Sequence, residues 1–558
     1  MRRVQRLEQK MEKHETHIPE HCEQKQGSQA VRSDKHRNVL IFGCVAAILV
    51  IAAAAFWLFS NYIFVCGGFH PKGEDIDLRG KTISVEQYQN AAAEYPELHI
   101  CWDIPIGGQR YDCTSKSIAV GDFSMEEIAN FAFFDDLQAV DGSAASCYDA
   151  LLALKEAMPR TEVSWVVRIG ADEFPDDAAD IAVDVPASYT QLSDLLPFLP
   201  SLERVDLRNA ELTPENTAQQ LAEEFPNVEF VYYVDVCGQQ LSNDVTEISL
   251  PGVSSAQLAE LTAAGEQFAA VEKIDLGDNL YEADDIIALR QAFNGAAVLC
   301  RLNFYGVETA SNAGELDLSG IQISDTSDVD KAVASMCGLK KIIMSDCGIP
   351  DEEMDALNKK YDDVRVVWTV YVKGFGCRTD ADNFCISRIT SHYGDITNEM
   401  VEPLKYCTDM VTLDLGHMYF DDISFVENMP HLKYFIIGDT HTDDLSPLQN
   451  CYELFYLEMF ITRVTDLTPL LDKTSLKHLN ISYVELEDYT QLFQMTWLER
   501  LWYVKSSLGT EEQQALRDAL PDTEISFYSL DDSSVDWGWR YNYSYFDMRD
   551  NLGMSYHV

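Results

Sequence analysis

Tyr434, Tyr456, His478 and Arg500 fall 22 residues apart, and so do Asp414, Ile436, Glu458, Asn480 and Trp502, with Phe460 two places beyond Glu458. Side chains of these types suit noncovalent recognition. Tyr, Trp and Arg combine flat apolar area with directed hydrogen bonds and are enriched where proteins grip partners. No nucleophile elbow, phosphate loop, zinc-protease helix or kinase signature accompanies them. The chain therefore reads as a binding protein and not an enzyme, with no cofactor expected.

Metal binding is not expected either. His14, His17, His21 and Cys22 stand close together in "HETHIPEHC", but a proline intervenes. "TDADN" from Thr379 lacks the glycine and distal glutamate of a calcium loop. Of 14 cysteines, Cys22 and Cys44 belong to the N-terminal part, and none of the other twelve has the paired C-x-x-C grouping of a zinc site. Outside the cell the local pairs Cys101/Cys113, Cys337/Cys347 and Cys377/Cys385 are the candidates for disulfides. The same residues serve equally as small buried apolar side chains. "NIS" at Asn480 and "NYS" at Asn542 act as glycosylation sequons only in a eukaryotic host.

The elements that must position these groups are announced by a period. Leu432, Leu454, Leu476 and Leu498 each open a segment L-x-x-[LF]-x-[apolar], and Asp422, Asp444, Asp466 and Asp488 keep the same 22-residue step. Self-similarity at a short fixed period marks a solenoid, whose units are too small to bury an apolar face alone and must stack. Upstream the pattern [LV]-x-x-[IV]-x-[LM] recurs from Leu137, Leu202, Val271, Leu339 and Met410 at steps of 65, 69, 68 and 71 residues. Further markers at Ile181, Ile248 and Leu316 precede Val205, Ile274 and Ile342 by 24, 26 and 26 residues. Each long unit thus reads as two solenoid turns, one of them carrying a strand hairpin. A half-unit from Asp75 begins the array and "LGTEEQQALRDALPDTEISFYSL" closes it, as terminal repeats must cover an exposed core end.

From Met410 to Leu498 the sequence resembles the 22-residue, internalin-like class of bacterial leucine-rich repeats. Leu454, Leu457, Met459, Val464, Asp466, Leu467, Thr468, Pro469 and Leu470 match that pattern, and Leu476, Leu479, Ile481, Leu486, Asp488 and Leu492 continue it. The resemblance implies an α/β solenoid, a leucine-rich repeat array with a parallel β-sheet. It departs at the family's asparagine, which is here Thr440, Thr462 and Val484. In such strands the residues between the inward leucines face the concave surface. These are Thr412 and Asp414; Tyr434 and Ile436; Tyr456, Glu458 and Phe460; His478, Asn480 and Ser482; Arg500, Trp502 and Val504. They form either a ligand face or a face covered by a lateral element or by the C-terminal tail. That tail packs Trp537, Trp539, Tyr541, Tyr543, Tyr545 and Phe546 into "DWGWRYNYSYFDM". It suits stacking on sugars or docking, or a cap over the end of the last turn.

From Asn38 through Pro71 there is no Asp, Glu, Lys or Arg, and Val39–Phe59 is a run of 21 mostly apolar residues. About 20 such residues cross a bilayer. A cleaved signal peptide is the rival reading; the length of the run and the 37 polar residues before it favour an uncleaved anchor. Residues 1–37 carry a net +3, which keeps the N-terminus in the cytoplasm and sends the repeats out of the cell. Of the whole-chain charge of −51, this leaves −54 on residues 38–558, a surface that disfavours nucleic acid and favours cationic partners.

The expected layout is a cytoplasmic tail over 1–37, a single-pass signal-anchor helix over 38–60 and a linker over 61–74. Long degenerate repeats follow over 75–409, 22-residue repeats with a closing unit over 410–530, and the aromatic tail over 531–558. The function expected is a cell-surface, membrane-anchored protein that binds an external protein or glycan through its C-terminal concave face. The alternative is a structural or regulatory subunit of a bacterial envelope complex.

Overall fold

A computed structural model describes residues 35–386, 396–528 and 538–554 of the chain, with the backbone alone for residues 35–46 and Ile48. His14, His17, His21, Cys22 and Trp537 lie outside the described residues. The helix Lys35–Asn61 occupies the stretch read above as the membrane span, and Leu49, Val50, Ile51, Phe56, Trp57 and Phe59 on it are exposed, with Leu58 half-buried. Among the described residues, no helix is long and apolar enough to cross a membrane.

The chain divides into two compact units, residues 1–181 with 190–202, and residues 182–189 with 203–558. In the first, Ile76–Asp77 pairs in parallel with Ile100–Cys101, and Ser117–Ala119, Ala139–Asp141 and Glu162–Ser164 form a parallel ladder. Antiparallel hairpins follow Cys101 and Ser164, at Asp103–Ile106 with Gln109–Asp112 and at Val166–Ile169 with Asp172–Pro175. Alternation sends Ile104, Ile106, Val167 and Ile169 inward. Each hairpin is tied at its base: the N–H of Cys113 donates to the Trp102 carbonyl (3.0 Å) and that of Asp176 to the Trp165 carbonyl (3.0 Å). The Asp176 carboxylate in turn accepts the Trp165 N–H at 3.2 Å.

The second unit repeats this clamp three times. Asn243, Ser311 and Thr379 each donate their N–H to the carbonyl 11 residues earlier, on Tyr232, Cys300 and Trp368. Their side-chain oxygens accept the same residues' N–H groups at 2.8, 3.0 and 3.2 Å. Both backbone groups at a buried strand corner are thereby satisfied, which a short oxygen-bearing side chain can do and an apolar one cannot. The parallel registers pair Ile248 with Ile274 and Leu316 with Ile342, the 26-residue steps read from the sequence.

The 22-residue turns build one seven-stranded parallel sheet. Its strands are Asn383–Cys385, Thr412–Asp414, Tyr434–Ile436, Tyr456–Glu458, His478–Asn480, Arg500–Trp502 and Glu524–Ser526, paired in sequence order. Leu432, Leu454, Leu476 and Leu498 are buried, as are Leu413, Phe435, Leu457, Leu479 and Leu501 between the outward positions. Each such side chain contributes about 1.5–3 kcal/mol relative to exposure. The repeating aspartates act within their own turns, where the side chains of Asp422, Asp444, Asp466 and Asp488 accept the N–H two residues on, at 2.8, 2.8, 2.9 and 2.9 Å. This turn starts the short 3-10 helix on the far side of each unit. The hydroxyls of Thr440 and Thr462 bond back to the carbonyls of Ile437 (2.8 Å) and Met459 (2.9 Å) within their own turns. At Val484 only the backbone N–H makes that link, to Ile481 at 3.1 Å.

Among the described residues, no disulfide joins the cysteines from Cys66 to Cys451. Of the three pairs considered above, the fold brings Cys101 and Cys113 together, sulfur to sulfur at 2.7 Å. Cys337 lies against the carbonyls of Val298 and Ser311, and Cys347 against that of Leu318. The sulfur beside Cys377 belongs to Cys407, 3.6 Å away, because the hairpin folds Cys377 back while Cys385 starts the next sheet beside Asp414.

Candidate functional site: the concave row and the segment that fills it

Because side chains alternate along a strand, the residues flanking each inward leucine stand in two columns on the other face. Tyr434, Tyr456, His478 and Arg500 are in direct register, and beside them Asp414, Ile436, Glu458, Asn480 and Trp502. Ring centroids are 6.1 Å apart between Tyr434 and Tyr456 and 6.2 Å between Tyr456 and His478. The guanidinium of Arg500 lies over the Trp502 ring at 4.5 Å. Phe460 completes the row by lying on Gly438, where a Cβ would come within 2.3 Å of its ring. Asn480 and Asp414 turn partly to their own backbones, accepting the N–H groups of Ser482 (3.0 Å) and Gly416 (3.2 Å).

All ten of these residues are buried. What covers the central columns is the chain's own C-terminal segment, the covered-face alternative of the sequence reading, and its described contacts run along the strands of residues 434–502. Trp539, Tyr545 and Met548 join Tyr434, Ile436, Tyr456, Trp502 and Val504 in one apolar cluster. The helix Tyr543–Asn551 starts where the Asn542 side chain accepts the Ser544 N–H at 2.8 Å.

Polar contacts then fix the segment's register. Glu458 Oε2 accepts from the Tyr456 hydroxyl (2.9 Å) and from Trp539 Nε1 (3.2 Å). Its Oε1 accepts from Arg540 Nη2 (2.7 Å) and Nε (3.2 Å). Arg500 Nη2 donates to the Trp539 carbonyl at 3.0 Å, His478 Nε2 and Ser544 Oγ share a hydrogen bond of 2.9 Å, and the Tyr434 hydroxyl donates to Asp547.

Enclosure sets the electrostatics. Burial first, and the Glu458 charge second, push the Tyr456 phenol well above its ordinary range. Burial first, and the Arg500 charge second, lower His478 from 6.5 to about 4, so it is neutral near pH 7. Burial and the bond to Asp547 raise Tyr434. A neutral imidazole, a buried carboxylate and stacked rings thus line one enclosed face.

The sequence marked Trp539 and Tyr545 as docking or capping residues. Arg540, Ser544 and Asp547 it passed over, since nothing local distinguishes them from solvated polar residues.

No protein-family model matches the sequence, and no curated protein matches it. Among solved structures, the chain is similar to an internalin of Listeria monocytogenes (InlF) at 16% identity, covering 68% of this chain and 88% of that one with a TM-score of 0.22. It is similar to internalin C2 of the same species at 17% identity, covering 44% and 82%, TM-score 0.17. A leucine-rich repeat protein of Leptospira interrogans shows 16% identity over 63% and 90%, TM-score 0.22. The repeat fold itself is carried by this chain's own ladder of strands. The solved-structure neighbours are internalins and a leucine-rich repeat protein.

Proposed function

We propose that the chain is a cell-surface protein, held by a single membrane-spanning helix, that binds an external protein or glycan through the concave row from Asp414 to Trp502. The charge-free stretch from Asn38 to Pro71, the basic residues before it and the exposed Leu49, Val50, Ile51, Phe56 and Trp57 support the anchor. The observation that carries the binding reading is unused polarity under the C-terminal segment. His478 Nδ1 and Arg500 Nη1 are buried without a hydrogen-bond partner among the described residues. A face evolved only to hold that segment would gain by losing such groups, because each unmet buried donor or acceptor costs about 1–3 kcal/mol. They fit a face whose polar groups serve another occupant, with the segment resident until that occupant arrives.

The covering itself favours a second reading, in which the row is closed for good and the chain is a structural or regulatory subunit of an envelope complex docking elsewhere. Probing the detergent-purified full chain against glycan and protein arrays, beside Trp539→Ala/Arg540→Ala, separates the two. The binding reading expects hits that strengthen in the variant and vanish when Tyr456→Ala/Trp502→Ala is added. Hits indifferent to all four substitutions favour the subunit reading. For the anchor, protease added to intact cells is expected to digest the repeats; full protection contradicts that topology.

A further inference from the structure

We infer that the slot around Glu458 selects a tryptophan followed by an arginine, and that the external partner is a protein presenting such a cationic, aromatic segment in place of Trp539 and Arg540. This rests on the binding reading above and adds the chemistry of the partner. The Trp539 indole sits 5.2 Å from the Tyr456 ring and 5.5 Å from Trp502, with the Arg500 guanidinium 4.6 Å from its centroid. Rings on two sides and a cation over the face define a pocket for a large electron-rich ring. The indole N–H and the Arg540 guanidinium end on different oxygens of one carboxylate.

That carboxylate is 1% exposed and Arg540 13%. The cation of the row itself, Arg500, is held by the Trp539 carbonyl through Nη2 and by the two indole rings and Glu524, while the Glu458 carboxylate is met by Arg540. Whatever fills the slot must therefore bring its own positive charge, since a buried charge stripped of its partner is strongly disfavoured. A neutral glycan supplies ring-stacking area but no cation. The net charge of −54 beyond residue 37 draws in basic segments on approach and repels acidic ones. The chain's own Trp539–Arg540 is then a cis occupant, and the true partner competes with it.

The test is fluorescence anisotropy of a labelled synthetic peptide of residues 538–554 against the full-length chain in detergent. The Trp539→Ala/Arg540→Ala chain is expected to bind this peptide at least about 10-fold tighter than the wild type, whose slot is filled. Alanine in place of the peptide's arginine, or Glu458→Gln in the double variant, should weaken binding about 10-fold or more. If the double variant loses its fold by hydrogen exchange, Arg540→Ala alone carries the same comparison. The inference is overturned if the vacated chain, folded, binds the peptide no better than wild type, or binds the arginine-free peptide equally well. Array hits on the double variant alongside such a result would leave the face standing and remove only its proposed selectivity; absence of both removes both.

Discussion

Arg540 reaches back 82 residues to place its Nη2 2.7 Å from Glu458 Oε1, and the pair is all but withdrawn from solvent. Buried ion pairs add little net stability over an apolar filling, but they penalise every alternative register. Here the pair fixes which turn of the solenoid the C-terminal segment lies on. The consequences can be measured apart from any ligand.

The pH response follows from His478. Its folded value of about 4 lies below the 6.5 of an unperturbed imidazole, so the unfolded or undocked state binds the extra proton. Its contribution is fully present above pH 6.5 and is lost as pH falls towards 4, at up to about 1.4 kcal/mol per pH unit. The stability difference between wild type and His478→Gln, from thermal unfolding at several pH values, should shrink across that window. A difference flat from pH 7 to 4.5 contradicts the enclosure of the imidazole.

Gly438 is expected to tolerate no side chain. The Phe460 ring occupies the place of its Cβ and is itself buried, so Gly438→Ala should destabilise the C-terminal turns by about 1–3 kcal/mol. Phe460→Ala in the same chain should relieve that clash, and a thermal-denaturation cycle over the four proteins reads the coupling. Additive effects would contradict the contact.

Cysteine reactivity should follow the fold and not sequence spacing. Mild oxidation of the full chain is expected to link Cys101 to Cys113, whose sulfurs already stand 2.7 Å apart. Cys337 and Cys347 should remain alkylatable after denaturation, each sulfur lying against backbone carbonyls. Non-reducing peptide mapping decides this, and a Cys337–Cys347 crosslink would contradict the arrangement.

What could be read in advance divides along physical lines. The 22-residue ladder was legible because every turn repeats the same local demands: an inward leucine, an outward pair, an aspartate accepting the N–H two residues on. The registers Ile248 with Ile274 and Leu316 with Ile342 were legible for the same reason. The hairpin clamp was not, since Asp176, Asn243, Ser311 and Thr379 share a role while differing in type. Its trace is an oxygen-bearing residue 11 positions after the strand corner, a signal visible only once the hairpins are aligned. The outward columns were legible as a row, and their covering by the tail as one of two alternatives; the contacts that decide between them were not. The decisive contacts, Glu458 with Arg540 and His478 with Ser544, join segments 82 and 66 residues apart and leave no mark on local periodicity.

Hydrogen exchange of the helix Tyr543–Asn551 in the full-length chain bears most directly on whether the C-terminal segment fills the concave row. An isolated nine-residue helix is marginal in water, so protection there reports docking. Slow exchange is expected in the wild type, falling towards unprotected rates in Glu458→Ala while the strands from Thr412 to Trp502 stay protected. Unprotected exchange of Tyr543–Asn551 in the wild type, or protection untouched by Glu458→Ala, would contradict the docking of this segment through Glu458.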